Sequence, residues 1–210
     1  MLLHPENKVI VLRNPKTGTT TLTYFLENYS ILEPLSRYHL RYSKLSNEQK
    51  DNYKIYCFYR EPVSRFLSGY FYLIKMYSSM EQQNPSLYEK GLEKIYGSTE
   101  YRKAHDISMN DILEALSKNI PDIPVLDILH PQTEWINSNV QLLNFHDFEN
   151  ECRKVLRLFD EDPNVKIVKT NSMDLTNKLE PLENNIIKLI HKYYSDDYDF
   201  FNEMGITFDV

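Results

Sequence analysis

Lys8-Val9-Ile10-Val11-Leu12-Arg13-Asn14-Pro15-Lys16-Thr17-Gly18-Thr19-Thr20-Thr21-Leu22 contains the change from strand to helix on which the fold of this chain depends. Lys8 to Arg13 (KVIVLR) is a β-rich run, as expected of a buried strand in a parallel sheet. Pro15 and Gly18 break that run, and Thr19 to Tyr29 reads as a helix with Leu22, Phe25 and Leu26 on one side. A turn rich in cations and hydroxyls is thus expected between a strand's carboxyl end and a helix N-terminus. That edge of an open α/β sheet is where such folds bind ligands, and helix N-termini there favour anions.

The pattern repeats. Lys54 to Tyr59 (KIYCFY) reads as a second strand, followed by Arg60-Glu61-Pro62-Val63-Ser64-Arg65-Phe66-Leu67-Ser68-Gly69-Tyr70. Val63, Phe66, Leu67, Tyr70, Phe71 and Ile74 keep helical spacing, and Pro62 suits a first helical turn. Two anion cradles on neighbouring strands imply one ligand carrying two separate anionic groups. Further along, Val140 to Phe145 reads as a strand, Phe148 to Phe159 as a helix and Val165 to Val168 as a short strand. Helices are also expected after Ser46, from Ser108 to Asn119, and from Leu182 to Tyr194. Ser79 to His105 is polar, Tyr-rich and weakly patterned. It marks a substrate-facing insertion within residues 79–132.

The bulk properties set bounds. A chain of 210 residues with 41% hydrophobic residues suits one domain spanning residues 1–210. Net charge is −6 and the isoelectric point about 5.5, which argues against a general nucleic-acid binder. Cys57 and Cys152 fit neither a disulfide framework nor a metal site, so both are expected as buried free thiols. No stretch approaches the roughly 20 apolar residues that span a bilayer. The expectation is a cytoplasmic protein without a membrane anchor.

The first cradle offers backbone N–H groups from Lys16 to Thr20, hydroxyls from Thr17, Thr19, Thr20 and Thr21, and the Lys16 charge. Its lysine precedes its glycine, unlike a Walker A loop, which disfavours magnesium chemistry on a nucleoside triphosphate. In the second, Arg60 supplies a planar fork suited to phosphate, and Ser68 follows eight residues later. Arg65 either contacts the ligand or pairs with Glu61. The run Asp196, Asp197, Asp199 reads as a solvated terminus, and His4, His146 and His191 as ordinary surface or helix positions.

Pro15-Lys16-Thr17-Gly18-Thr19-Thr20 resembles the 5′-phosphosulfate loop of sulfotransferases, and Arg60-x-Pro62-x-x-Arg65-x-x-Ser68-x-Tyr70 resembles their 3′-phosphate motif. Order and separation resemble the sulfotransferase family 2 branch, which contains the heparan sulfate 2-O- and 6-O-sulfotransferases. The likeness extends more weakly to His130-Pro131-Gln132, to the strand-helix Leu142 to Phe159 and to Asp197-Tyr198-x-x-Phe201. It implies a P-loop-like parallel sheet with helices on both faces and 3′-phosphoadenosine-5′-phosphosulfate (PAPS) as donor. It further implies sulfuryl transfer, without a metal, to a hydroxyl of a carbohydrate or other small acceptor. Lys16 would stabilise the leaving phosphate. His39 would be the base, because His39-Leu40-Arg41-Tyr42-Ser43-Lys44-Leu45 resembles a segment that carries a catalytic histidine in some carbohydrate sulfotransferases; His130 is the reserve. A PAPS-binding module without turnover and a small-molecule kinase are the alternatives.

Overall fold

The structure, a computed structural model, describes residues 1–29, 39–96, 102–118, 126–168 and 183–208. Two compact units divide the chain: residues 1–61, 132–173 and 199–210 in the first, residues 62–131 and 174–198 in the second.

The first unit is built on a four-stranded sheet in the order β1 (Leu2–His4), β2 (Val9–Leu12), β3 (Lys54–Tyr59), β4 (Gln141–Asn144). β2, β3 and β4 are parallel, with Ile10 opposite Ile55 and Cys57 opposite Leu142. β1 adds to β2 antiparallel, Leu2 opposite Val11. The sheet is therefore mixed, with a parallel core and one antiparallel edge. The residues from Val165 to Val168 form no strand.

Alternation along the strands sends side chains to both faces. Val9, Val11, Phe58 and Leu143 point to a layer made by α1 (Thr19–Phe25) and α6 (Phe148–Leu158), through Leu22, Phe148, Cys152 and Val155. Ile10, Leu12, Ile55, Cys57 and Tyr59 point the other way, onto Leu45, Trp135, Ile136 and Phe201 of α8 (Ser195–Glu203). Each fully buried Leu, Ile or Phe contributes about 1.5–3 kcal/mol. Both faces of the sheet are thus covered, as the apolar strands require.

His4 departs from the surface position expected of it. It is buried, stacked on Tyr29 with ring centroids 5.0 Å apart. Ser46 does cap α2 (Asn47–Asn52), in a capping box with Gln49.

The second unit is helical. α3 (Pro62–Gln83) is longer than its apolar spacing promised, and α4 (Pro85–Tyr96) follows at once. Tyr88, Leu92 and Ile95 of α4 join Phe66, Leu67, Leu73 and Tyr77 of α3 in one core. The stretch read as weakly patterned is therefore largely helix, its narrow apolar stripe masked by charged neighbours. α5 (Met109–Ser117) starts from the Ser108–Asp111 capping box, and α7 (Asn184–Tyr193) contributes Ile186 and Ile190. Arg65 is fully buried here and donates from Nη2 to the Ile128 carbonyl at 3.2 Å. Asp197 is buried as well, whereas Asp196 and Asp199 of the same acidic run are exposed.

Both cysteines are free and buried. Burial pushes the Cys152 thiol up from 9.0 to about 11. A thiol that stays protonated in the fold but ionises in the unfolded chain stabilises the fold fully below pH 9, and that contribution is lost as pH rises towards 11. At pH 8 a thiol-disulfide reagent should modify neither cysteine in the native protein and both in denaturant. Labelling of the native protein at the unfolded-chain rate would contradict this burial.

Candidate active site at the carboxyl ends of β2 and β3

The chain leaving β2 is fixed from within. Asn14 is fully buried, and its Nδ2 donates to the Phe58 carbonyl and to Gln132 Oε1, both at 3.0 Å. Thr17 is buried too, and its hydroxyl donates to the Asn14 carbonyl at 2.8 Å. That proton closes the loop, so Thr17 can donate to an anion only through its backbone N–H. Lys16 lies in the left-handed region at φ 65°, an uncommon conformation for a non-glycine residue that costs about 1–3 kcal/mol. Such strain concentrates at functional positions.

Gly18 follows at φ 77° as the N-cap of α1. A Cβ there would lie 2.5 Å from Phe148 Cε2 and 3.0 Å from Phe145 Cε2, so only glycine fits. Its carbonyl accepts from the N–H groups of Thr21 and Leu22 at 3.0 and 3.3 Å. Among the described residues, the N–H groups of Gly18, Thr19 and Thr20 donate to no protein acceptor. The Thr19 and Thr21 side chains are buried and Thr20 is exposed. The loop thus sets three backbone donors at the N-terminus of α1, two residues after Lys16.

Arg60, the residue after β3, reaches the same loop. Its Nη1 donates to the Lys16 carbonyl at 3.3 Å, and its guanidinium carbon lies 4.6 Å from the centroid of the Phe145 ring. Gln132, fully buried, holds the Arg60 backbone on both sides. Its Oε1 accepts from the Arg60 N–H at 3.0 Å, and its Nε2 donates to the Arg60 carbonyl at 2.8 Å. Lys16 and Arg60 are therefore brought together, whereas the parts played by Gln132 and Phe145 are new. Both enter from the chain that returns after the second unit. The sequence signals were the weak likenesses at His130-Pro131-Gln132 and over Leu142 to Phe159, neither of which singled out a role.

His39 also belongs to the first unit. Its Nδ1 lies 2.6 Å from the Arg13 carbonyl. A carbonyl only accepts, so this contact assigns the proton to Nδ1 and the lone pair to Nε2. The His39 carbonyl accepts from Trp135 Nε1 at 3.1 Å, and Arg41 pairs with Glu134 at 2.9 Å while lying 5.5 Å from the Trp135 ring centroid. A cleft of about 270 Å³ opens along the same two segments, lined by Tyr42, Ser43, Thr133, Glu134, Ile136 and Asn137.

The other expected residues belong to the second unit or fall outside the described residues. Ser68 is half-buried on α3, in the second unit. His105 meets Asp106 at 3.3 Å in an exposed pair of that unit. His130 is half-buried there as well, and Lys169 lies outside the described residues. Among the described residues no group of three or more His, Cys, Asp or Glu could hold a metal, and no helix is long and apolar enough to cross a membrane.

With this geometry in place, the family comparison gives the class. A model of the Sulfotransferase family, of its family 2 branch, matches residues 1–202, and the chain belongs to that family. Sulfuryl transfer and a hydroxyl-bearing acceptor follow at family level. Comparison with curated proteins and with solved structures finds no match.

Proposed function

We propose that the protein transfers the sulfuryl group of PAPS to a hydroxyl of a carbohydrate or other small acceptor. The observation that carries this reading is the hydrogen bond from Arg60 to the Lys16 carbonyl, which supports both cradles serving one doubly anionic ligand. The residues fit such a donor. Lys16 with the N–H groups of Gly18, Thr19 and Thr20 would hold the 5′ end, and Arg60 the 3′-phosphate.

When bound, PAPS supplies an activated sulfuryl group whose departure leaves extra negative charge on the 5′-phosphate. Lys16 and the loop N–H groups oppose that charge, more strongly as it develops than before. His39 takes the acceptor's hydroxyl proton at Nε2, while the Arg13 carbonyl holds Nδ1–H and with it the tautomer. The cleft lined by Tyr42, Ser43, Thr133, Glu134 and Asn137 offers hydroxyls, an amide, a carboxylate and an aromatic face. That lining favours an uncharged polyhydroxylated acceptor over a polyanionic one. A cytoplasmic location is proposed alongside, with two buried free thiols in support.

A thermal-shift comparison of adenosine 3′,5′-bisphosphate with ATP and magnesium tests the donor class, because a ligand of the native state raises apparent stability by mass action. The bisphosphate alone should stabilise the protein. Arg60→Ala should weaken its binding roughly 10- to 100-fold, the worth of about 1.5–3 kcal/mol for a hydrogen bond to a charged group. Unchanged affinity would remove Arg60 from the site.

A further inference from the structure

Arg60 is held at four points, its N–H, its carbonyl, its guanidinium face and its Nη1, and two of the residues holding it have no assigned role. Gln132 uses both ends of its amide on the Arg60 backbone and also accepts from Asn14, the residue that ties β2 to β3. The Phe145 ring lies 4.6 Å from the Arg60 guanidinium, and its Cε2 would meet a Cβ on Gly18 at 3.0 Å. One ring therefore abuts both cradles: the arginine of the second and the glycine of the first. A free arginine side chain has several rotatable bonds, whose freedom would be lost on gripping a phosphate. An arginine already laid against an aromatic face, its backbone fixed at N–H and carbonyl, has lost that freedom before the ligand arrives.

We propose that Phe145 and Gln132 are positioning residues that preset Arg60 for the 3′-phosphate, and so make the protein discriminate adenosine 3′,5′-bisphosphate from adenosine 5′-phosphate. This rests on the reading that Arg60 meets the 3′-phosphate. Because Arg60 also donates to the Lys16 carbonyl, the same clamp fixes the spacing between the groups that grip the donor's two ends.

The test is calorimetric binding of adenosine 3′,5′-bisphosphate and of adenosine 5′-phosphate to wild type and to three variants. Phe145→Leu keeps apolar bulk beside Gly18 but removes the ring face. Phe145→Tyr keeps the face. Gln132→Glu removes the donor to the Arg60 carbonyl. Phe145→Leu and Gln132→Glu should each weaken the bisphosphate about ten-fold more than the monophosphate, equivalent to about 1.4 kcal/mol. Phe145→Tyr should retain the wild-type preference. Equal weakening of both ligands would reveal a merely structural role and overturn the proposal, as would no change in either. Wild type showing no preference for the bisphosphate would overturn the donor reading as well. A wild-type preference that survives Phe145→Leu and Gln132→Glu overturns this inference alone.

Discussion

Lys16→Ala should lower kcat by two to three orders of magnitude while the protein stays folded and still binds adenosine 3′,5′-bisphosphate. Loss of one preorganised group that stabilises developing charge costs about 3–4 kcal/mol. The loss should fall on kcat, since the charge Lys16 opposes grows only as the sulfuryl group leaves. Lysine already carries a Cβ at φ 65°, so alanine adds no backbone strain there and the melting temperature should hold. Single-turnover transfer from PAPS to a panel of glycans and small hydroxyl compounds, with melting temperature measured in parallel, decides it. Turnover near the wild-type rate would end the assignment of Lys16.

His39→Ala should cost 10²–10⁴ in kcat, the usual range for a lost general base, with bisphosphate affinity unchanged. The tautomer set by the Arg13 carbonyl adds a signature that a structural histidine would lack. Imidazole changes charge near neutrality, so the wild-type rate should fall on the acid side of its pH profile. That limb should vanish in the variant. His39→Gln separates the two roles, because its amide can still donate to the Arg13 carbonyl but cannot accept a proton. It should be as slow as alanine while keeping the wild-type melting temperature. A near-wild-type rate in either variant at saturating acceptor would move the base elsewhere.

The parallel strands were readable because each is an apolar run ended by a cation or a turn residue, a signal confined to a few neighbouring positions. β1 was not, since Leu2-Leu3-His4 is too short to show a period and becomes a strand only through its pairing with β2. α4 hid for a different reason: Tyr88, Leu92 and Ile95 keep helical spacing, but Glu89, Lys90, Glu93 and Lys94 between them lower the mean hydropathy. At the site, Lys16 and Arg60 could be brought together from sequence because adjacent parallel strands end at the same edge. Gln132 and Phe145 could not, because their contacts depend on where the chain returns after about seventy residues of helix and loop. Thr17 was read as a ligand donor, yet its hydroxyl is turned inward to the Asn14 carbonyl. A side chain's direction in a tight loop is settled by packing that composition does not carry.

The antiparallel strand at the N-terminus has a bearing on solubility. Val9-Ile10-Val11-Leu12 is uncharged, β-branched and free of proline, the sort of run that seeds intermolecular pairing when one side is left open. Leu2 to His4 occupies that side, and is itself too short to template another chain. Trimming the first five residues would therefore uncover a sticky ridge and invite fibrils before it disturbed any chemistry.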